Sequence, residues 1–351
     1  MHHYFSPVLI LASLFTFQSM AHADSVCQRS KSVVDALVNE THKSCDLITD
    51  QDLAKIFGLD IVVADEMSLQ SSDLRGLTGM ENILFRYNAS SPFPEGMLKN
   101  LPALRELFIT AKTYRVLTKN IYQGSSATDL TLEVEDANLS AFPIEIFSNI
   151  SENTEIDFMD DQVTRLPAQF FQTIPQLGAV YLNLKNLAQL PDTLFHYTPN
   201  LKGVALRCPQ VKILPENIFE GLSKLSFVDL SDNHFASIPE HLYYGISTIK
   251  TLALTNMKLS SLQENLFHKM YNVTRLYLGY NELTPLPDGI FRDLNKVELL
   301  SLPGSNFTTI SNSVFSGKGF RKEAFVILDD NPIDAETKAR LTDLLPKVRF
   351  K

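Results

Sequence analysis

A chain of 351 residues, of which 44% are apolar, can bury a large core, and its length alone suggests about two domains. The formal net charge of -9 repels phosphates and anionic membrane surfaces. This charge argues against nucleic acid as a partner.

The first 23 residues predict a secretory signal peptide. They contain no Asp, Glu, Lys or Arg, and an apolar run from Val8 to Phe17 is followed by Ala21-His22-Ala23, a small-x-small cleavage site before Asp24. The run is too short to span a bilayer, and no later stretch reaches spanning length. We therefore expect an exported chain in the periplasm, at the cell surface or in the medium, with no integral membrane segment after cleavage.

The three cysteines are an odd number for an exported chain. Cys27 and Cys45 flank a segment with apolar residues at helical spacing, which predicts a short helix closed by a disulfide in an oxidising compartment. Cys208 is then left over. We expect it to pack as a small apolar side chain, with intermolecular pairing or redox reactivity as the alternatives.

A pattern of 24 residues recurs along 53–333. The segment from Leu225 reads LSFVDLSDNHFASIPEHLYYG, and a shift by one period gives IKTLALTNMKLSSLQENLFHK and then VTRLYLGYNELTPLPDGIFRD. The position of Phe235 can be followed from Glu66 to Ile333 with one step of 25 and a final step of 26. Independent domains would not keep one register, so the pattern predicts a single solenoid.

The shared phrase LxxLxLxxNxLxxLPxxxF resembles the leucine-rich repeat family in its typical 24-residue class. The resemblance implies an α/β solenoid of about 12 repeats, with a parallel β-sheet on the concave side and irregular or 3-10 segments on the convex side. Each unit offers a strand and a return segment, and neither can bury its apolar face alone.

The return segments carry an aromatic residue at a fixed place, which predicts a continuous buried stack. The members of this aromatic stack are Phe147, Phe171, Phe195, Phe219, Phe267, Phe291 and Phe315, with Tyr122 and Tyr243 as substitutes. The family's inward Asn is matched at Asn88, Asn233, Asn281 and Asn331, and other residue types in the remaining repeats predict less regular turns through the middle of the arc.

Both ends of the repeat array are predicted to be capped. Residues 24–52, with the Cys27–Cys45 disulfide, would cover the first repeat, and the phrase CDLITDQDLAKIFGLDI resembles the opening sequence of secreted bacterial members. Residues 334–351 predict a short helix with Asp334 as its N-cap. The expected organisation is therefore signal peptide 1–23, cap 24–52, repeats 53–333 and cap 334–351.

No motif points to chemistry. The sequence contains no nucleophile elbow, phosphate-binding glycine loop, zinc signature or EF-hand loop. The five histidines after the signal peptide have no ligand partner at the usual spacing. We expect no metal, no cofactor and no enzymatic activity.

Strand alternation identifies the side chains that face the concavity. The repeat register places Glu133 in one column with Phe108 and Asp157, within an acidic patch flanked by aromatic residues, and places Phe227 with Tyr277 and Tyr280 in a second aromatic group. The predicted contact residues are Leu84, Tyr87, Phe108, Glu133, Glu135, Asp136, Glu155, Asp157, Asp160, Tyr181, Phe227, Tyr277 and Tyr280.

Exposed aromatic residues beside charge of one sign are typical of protein-recognition surfaces. We expect a non-catalytic, exported binding module for a protein or peptide, and the acids favour a basic partner. Adhesion, host or prey interaction and envelope recognition are specialisations of this function. The alternatives are a structural envelope scaffold and a glycan-binding protein, and the acids could instead serve only to keep a long sheet soluble. The sequence names no partner and no oligomeric state.

Overall fold

The structure, a computed structural model, describes most of the chain after the predicted signal peptide. The described residues are 25–64, 67–111, 116–118, 121, 129–134, 144–147, 150, 152–159, 162–316, 320 and 323–350. For residues 111, 129–134 and 145–146 the description covers the backbone only.

Thirteen described strands form one parallel sheet whose order follows the chain. They are β1 Gly58–Val63, β2 Asn82–Tyr87, β3 Glu106–Ala111, β4 Asp129–Val134, β5 Glu155–Met159, β6 Ala179–Asn183, β7 Gly203–Arg207, β8 Phe227–Asp229, β9 Thr251–Ala253, β10 Arg275–Tyr277, β11 Leu299–Ser301, β12 Phe325–Ile327 and β13 Val348–Arg349. Each strand pairs in parallel with the strand of the next repeat, which confirms the predicted leucine-rich repeat solenoid.

Alternating side chains give the sheet a buried face and an accessible face. In β5, Ile156 and Phe158 are buried, whereas Glu155, Asp157 and Met159 are partly exposed. Short 3-10 segments, Ile144–Phe147 and Asn312–Phe315, lie on the return side of the repeats. The core is thus one continuous layer between the sheet and the return segments.

The predicted aromatic stack is present wherever its members are described. Phe171 and Phe195 lie 5.8 Å apart between ring centroids, and the stack continues through Phe219 to Tyr243 at 6.4 and 6.3 Å. A second run joins Phe267, Phe291 and Phe315 at 6.2 and 6.0 Å. Tyr122 lies outside the described residues.

Buried asparagines close the turns toward the carboxyl end. Asn233 donates from Nδ2 to the carbonyl oxygens of Leu206 and Leu230, and its Oδ1 accepts the backbone N–H of Cys208 at 2.6 Å. Asn281 and Asn331 bond their turns in the same way. These bonds satisfy backbone groups that the short strands leave unpaired.

Helices lie at both ends of the sheet. Helix α1, Lys31–Thr41, packs against β1, and the predicted disulfide joins Cys27 to Cys45. Helix α2 is Asp50–Leu53, and helix α3, Ala335–Leu344, begins at its N-cap Asp334, whose side chain accepts the N–H of Thr337 at 2.6 Å. Among the described residues, none of the helices has the length and apolarity that crossing a bilayer requires.

Candidate binding surface

Backbone pairing corrects the predicted concave columns at β4. Thr131, not Glu133, lies in line with Phe108 and Asp157, while Glu133 pairs with Thr110 and Met159. The cause is an uneven repeat length. The paired positions Glu106 and Asp129 are 23 residues apart and Asp129 and Glu155 are 26 apart, so a nearly constant period misplaces the strand between them.

Tyr87 was wrongly predicted to face the concavity. It is fully buried, its ring lies 5.6 Å from that of Phe93, and its hydroxyl donates to the carbonyl oxygen of Ser91 at 2.8 Å. Burial raises the pKa of this phenol. Because β2 stays extended through its sixth residue, Tyr87 follows the inward alternation of Ile83 and Phe85.

Part of the predicted acidic patch cannot be placed. Glu135, Asp136 and Asp160 lie outside the described residues, as does the side chain of Glu133. Glu155 and Asp157 of β5 are described, and both are partly exposed on the concave face.

We use the name central hollow for a depression of about 290 Å³ on the concave face. Its lining comes from strands β5 to β8 and consists of Asp157, Met159, Tyr181, Leu182, Asn183, Ala205, Arg207 and Asp229. Asp157, Tyr181, Ala205 and Asp229 pair in one continuous row across these strands. The row places one aromatic and one small residue between two carboxylates.

Tyr181 is a ridge between the central hollow and a second depression of about 300 Å³, which Glu155, Ala179, Gly203 and Phe227 also line. The Tyr181 hydroxyl donates to Oε2 of Glu155 at 3.3 Å, and its ring lies 6.5 Å from that of Phe227. Phe227 therefore belongs with Tyr181 and not, as the sequence predicted, with Tyr277 and Tyr280.

Small residues create the depth beside this ridge. Ala179, Gly203 and Ala205 supply little side chain to the floor, so the rings of Tyr181 and Phe227 stand above it. A Cβ added at Gly203 would lie 3.2 Å from that of Ala179 and 3.7 Å from the ring of Phe227. The concave column of the sequence already showed Ala205 beside Tyr181, but the role of Gly203 needed the structure.

The charges around the central hollow are held by local contacts. Oδ1 of Asp229 accepts the backbone N–H of Ser231 at 2.9 Å, which fixes that carboxylate at the strand end. Arg207 lies at the rim, where its guanidinium is 3.8 Å from the carboxylate of Asp232. The exposed arginine is thus directed toward the edge, and Asp157, Tyr181 and Asp229 face the hollow.

A third depression, the apolar hollow, lies on the same face near the amino end. It has a volume of about 380 Å³ and is lined by Gly58, Leu59, Asn82, Ile83, Leu84, Glu106, Leu107 and Phe108. The predicted contact residues Leu84 and Phe108 are only partly exposed, and they form its walls.

Tyr277 and Tyr280 form the remaining aromatic group. Tyr277 is partly exposed in β10, and Tyr280 is 54% exposed with a left-handed backbone, φ 54°. A Cβ added at Gly304 would lie 2.6 Å from the Tyr280 ring, so the ring covers that glycine. In the part of the chain that the structure describes, no group of three or more His, Cys, Asp or Glu could hold a metal ion.

Comparison with known proteins agrees with this geometry. A family model described as the BspA type leucine rich repeat region matches residues 91–226 and 188–321, with six copies. The chain belongs to this family. No curated protein matches the sequence of this BspA-type chain.

Solved structures show the same fold at low identity. A chain in the structure of the Toll–Spatzle complex of Drosophila is 22% identical, with a TM-score of 0.57, over 82% of this chain and 42% of that chain. A second structure of that complex gives 22% and 0.58, over 82% and 41%. An internalin from Listeria monocytogenes is 15% identical over 93% and 96%, with a TM-score of 0.42. The BspA-type chain thus spans less than half the length of the two Toll–Spatzle chains that it matches.

Proposed function

We propose that this BspA-type leucine-rich repeat chain is a non-catalytic, exported module that binds a protein or peptide on its concave face. The observation that carries the proposal is Tyr181, which stands between two hollows and contacts both Glu155 and Phe227. An aromatic anchor beside a pocket, with carboxylates around it, is typical of the centre of a protein interface.

The charges favour a basic partner. Glu155, Asp157 and Asp229 surround the Tyr181 ridge, and the whole chain carries a net charge of -9. Complementary charge speeds association and disfavours acidic competitors. Two of the similar folds come from a complex of Toll with Spatzle, which supports protein binding by this fold without naming a partner here.

Export is supported by covalent structure. The Cys27–Cys45 disulfide is of a kind that persists in oxidising compartments. The predicted signal peptide 1–23 accounts for delivery to such a compartment, and the proposal retains the predicted cap 24–52, repeats 53–333 and cap 334–351.

Site-specific photocrosslinking tests the proposal. Residues 24–351 are prepared with a photoreactive phenylalanine in place of Tyr181, and a matched variant carries it in place of Tyr244, an exposed tyrosine away from the concave sheet. Both are irradiated with extracellular and envelope protein fractions, and products are identified by mass spectrometry. We expect a protein adduct from position 181 that position 244 does not form.

Other adducts distinguish the alternatives. A glycan adduct at position 181 would favour a glycan-binding protein. Equal products from both positions, or none from position 181, would contradict recognition by the concave face and favour a structural scaffold.

A further inference from the structure

The two hollows that face the concavity differ in chemistry. The apolar hollow has Leu84 and Phe108 as walls, and the central hollow has carboxylates on either side of Tyr181 and Ala205. Both lie on the same face of the same sheet, because Leu84, Phe108, Asp157 and Tyr181 belong to one row of paired positions that passes through Thr131.

The strand spacing sets the distance between them. The apolar hollow is centred near β2, and the central hollow lies between β6 and β7, so four to five strand steps separate them. At about 4.8 Å per step this is roughly 20 Å along the sheet. An extended chain covers about 3.3–3.6 Å per residue, so about six residues bridge the two hollows.

Each hollow favours one type of side chain. An apolar side chain would displace water from the Leu84 and Phe108 walls, where burial is favourable in proportion to area. A lysine or arginine would meet the face of Tyr181 and the carboxylates of Asp157 and Asp229, combining a cation–π contact with ion pairing.

We propose that the concave face binds an extended segment of its partner, with an apolar residue in the apolar hollow and a lysine or arginine about six residues away in the central hollow. This inference rests on the proposed function and adds to it a sequence rule for the partner. An extended segment fits because one chain can follow the row of paired positions from hollow to hollow without a bulky element between them.

Selection from a displayed library of random peptides tests the rule. The bait is residues 24–351, and the peptides are long enough to reach both hollows. We expect enriched peptides to pair an apolar residue with a lysine or arginine at a spacing of five to seven residues. Inserting two glycines between these residues in a selected peptide should weaken binding by about tenfold.

Bait variants assign each peptide residue to a hollow. Phe108→Ala should lose the benefit of the apolar peptide residue, and Asp157→Asn that of the basic one, so each matched pair should be non-additive in a double-mutant cycle. Tyr244→Ala is the control and should bind like the unaltered chain.

The outcomes separate the inference from the function beneath it. Peptides that require Tyr181 but show no preferred spacing, or no response to Phe108→Ala, would overturn the inference and leave concave binding intact. Enriched peptides that ignore Tyr181→Ala as well, or a failure to enrich any peptide, would contradict both.

Discussion

Tyr87 and Tyr280 occupy equivalent positions of their repeats, five residues after the paired positions Asn82 and Arg275, yet Tyr87 is fully buried and Tyr280 is 54% exposed. The backbone makes the difference. Tyr87 is the last residue of a six-residue strand, whereas Tyr280 follows a three-residue strand and adopts a left-handed conformation. Asp232, Asn256, Gly304 and Asp330 share that conformation in neighbouring repeats, and all are residue types that tolerate it better than tyrosine.

Tyr280→Asn should therefore raise the free energy of unfolding by about 1 kcal/mol, because asparagine pays less for positive φ. Chemical denaturation followed by circular dichroism measures the change. Tyr244→Asn is the control, since Tyr244 is exposed but has an ordinary φ, and it should be close to neutral. A loss of stability in Tyr280→Asn would show that contacts of the ring with Gly304 outweigh the backbone strain.

The buried tyrosines predict opposite responses to removal of their hydroxyl groups. The Tyr243 hydroxyl is buried without a hydrogen-bond partner in the described part of the chain, and burial raises its pKa. Tyr243→Phe should add about 1 kcal/mol or more to the free energy of unfolding, because an unsatisfied buried hydroxyl costs about 1–3 kcal/mol.

Tyr87→Phe removes a satisfied hydroxyl and should lower the free energy of unfolding by about 1 kcal/mol, because the bond to Ser91 is lost. Thermal and denaturant melts of the two variants provide the comparison. Destabilisation by Tyr243→Phe would mean that its hydroxyl finds a water or another partner.

Cys208 should be inert in the folded chain. It is buried, and burial raises the pKa of its thiol to about 12, so little thiolate forms near neutral pH. Ellman's reagent should detect no fast-reacting thiol in native residues 24–351 and one thiol per chain after denaturation without reductant. Three thiols after denaturation would contradict the Cys27–Cys45 disulfide.

The amino-terminal cap should weaken in acid. The side-chain hydrogen bond from Lys43, with further bonds from the backbone and hydroxyl of Thr49, holds the pKa of Asp52 well below its ordinary value of 3.8. Because the folded pKa is lower than the unfolded one, this stabilisation is complete above the ordinary value and is lost as pH falls toward the folded value.

Asp52→Asn should consequently lower the Tm at neutral pH, and the difference from the unaltered chain should shrink below pH 3.8. Asp46→Asn, a change at an exposed acid in the same cap, is the control. A difference in Tm that stays constant with pH would show that the charge of Asp52 contributes nothing.

Repeat periodicity was sufficient for the sheet and the aromatic stack, because a buried position that recurs every 24 residues has one structural solution when the units stack. It failed at β4. Steps of 23 and 26 residues on either side of Asp129 almost cancel, so the frame is right again at Glu155 although Glu133 is displaced by one pair.

The candidate site was less accessible from the sequence. Strand spacing places Cα atoms but not rings, so the contact between Tyr181 and Phe227 across Gly203 could not be predicted. Likewise, the letter Tyr does not distinguish position 87 from position 280, because their different exposure follows from the length of the strand before each turn.

The affinity of the Tyr181→Ala variant for the partner identified by crosslinking tests the central hollow most directly. If Tyr181 anchors the interface, the Kd should rise by at least about 30-fold, the equivalent of roughly 2 kcal/mol for an anchoring aromatic. Tyr244→Ala should stay within twofold, and circular dichroism should show both variants folded. An unchanged Kd for a folded Tyr181→Ala variant would contradict binding at the central hollow.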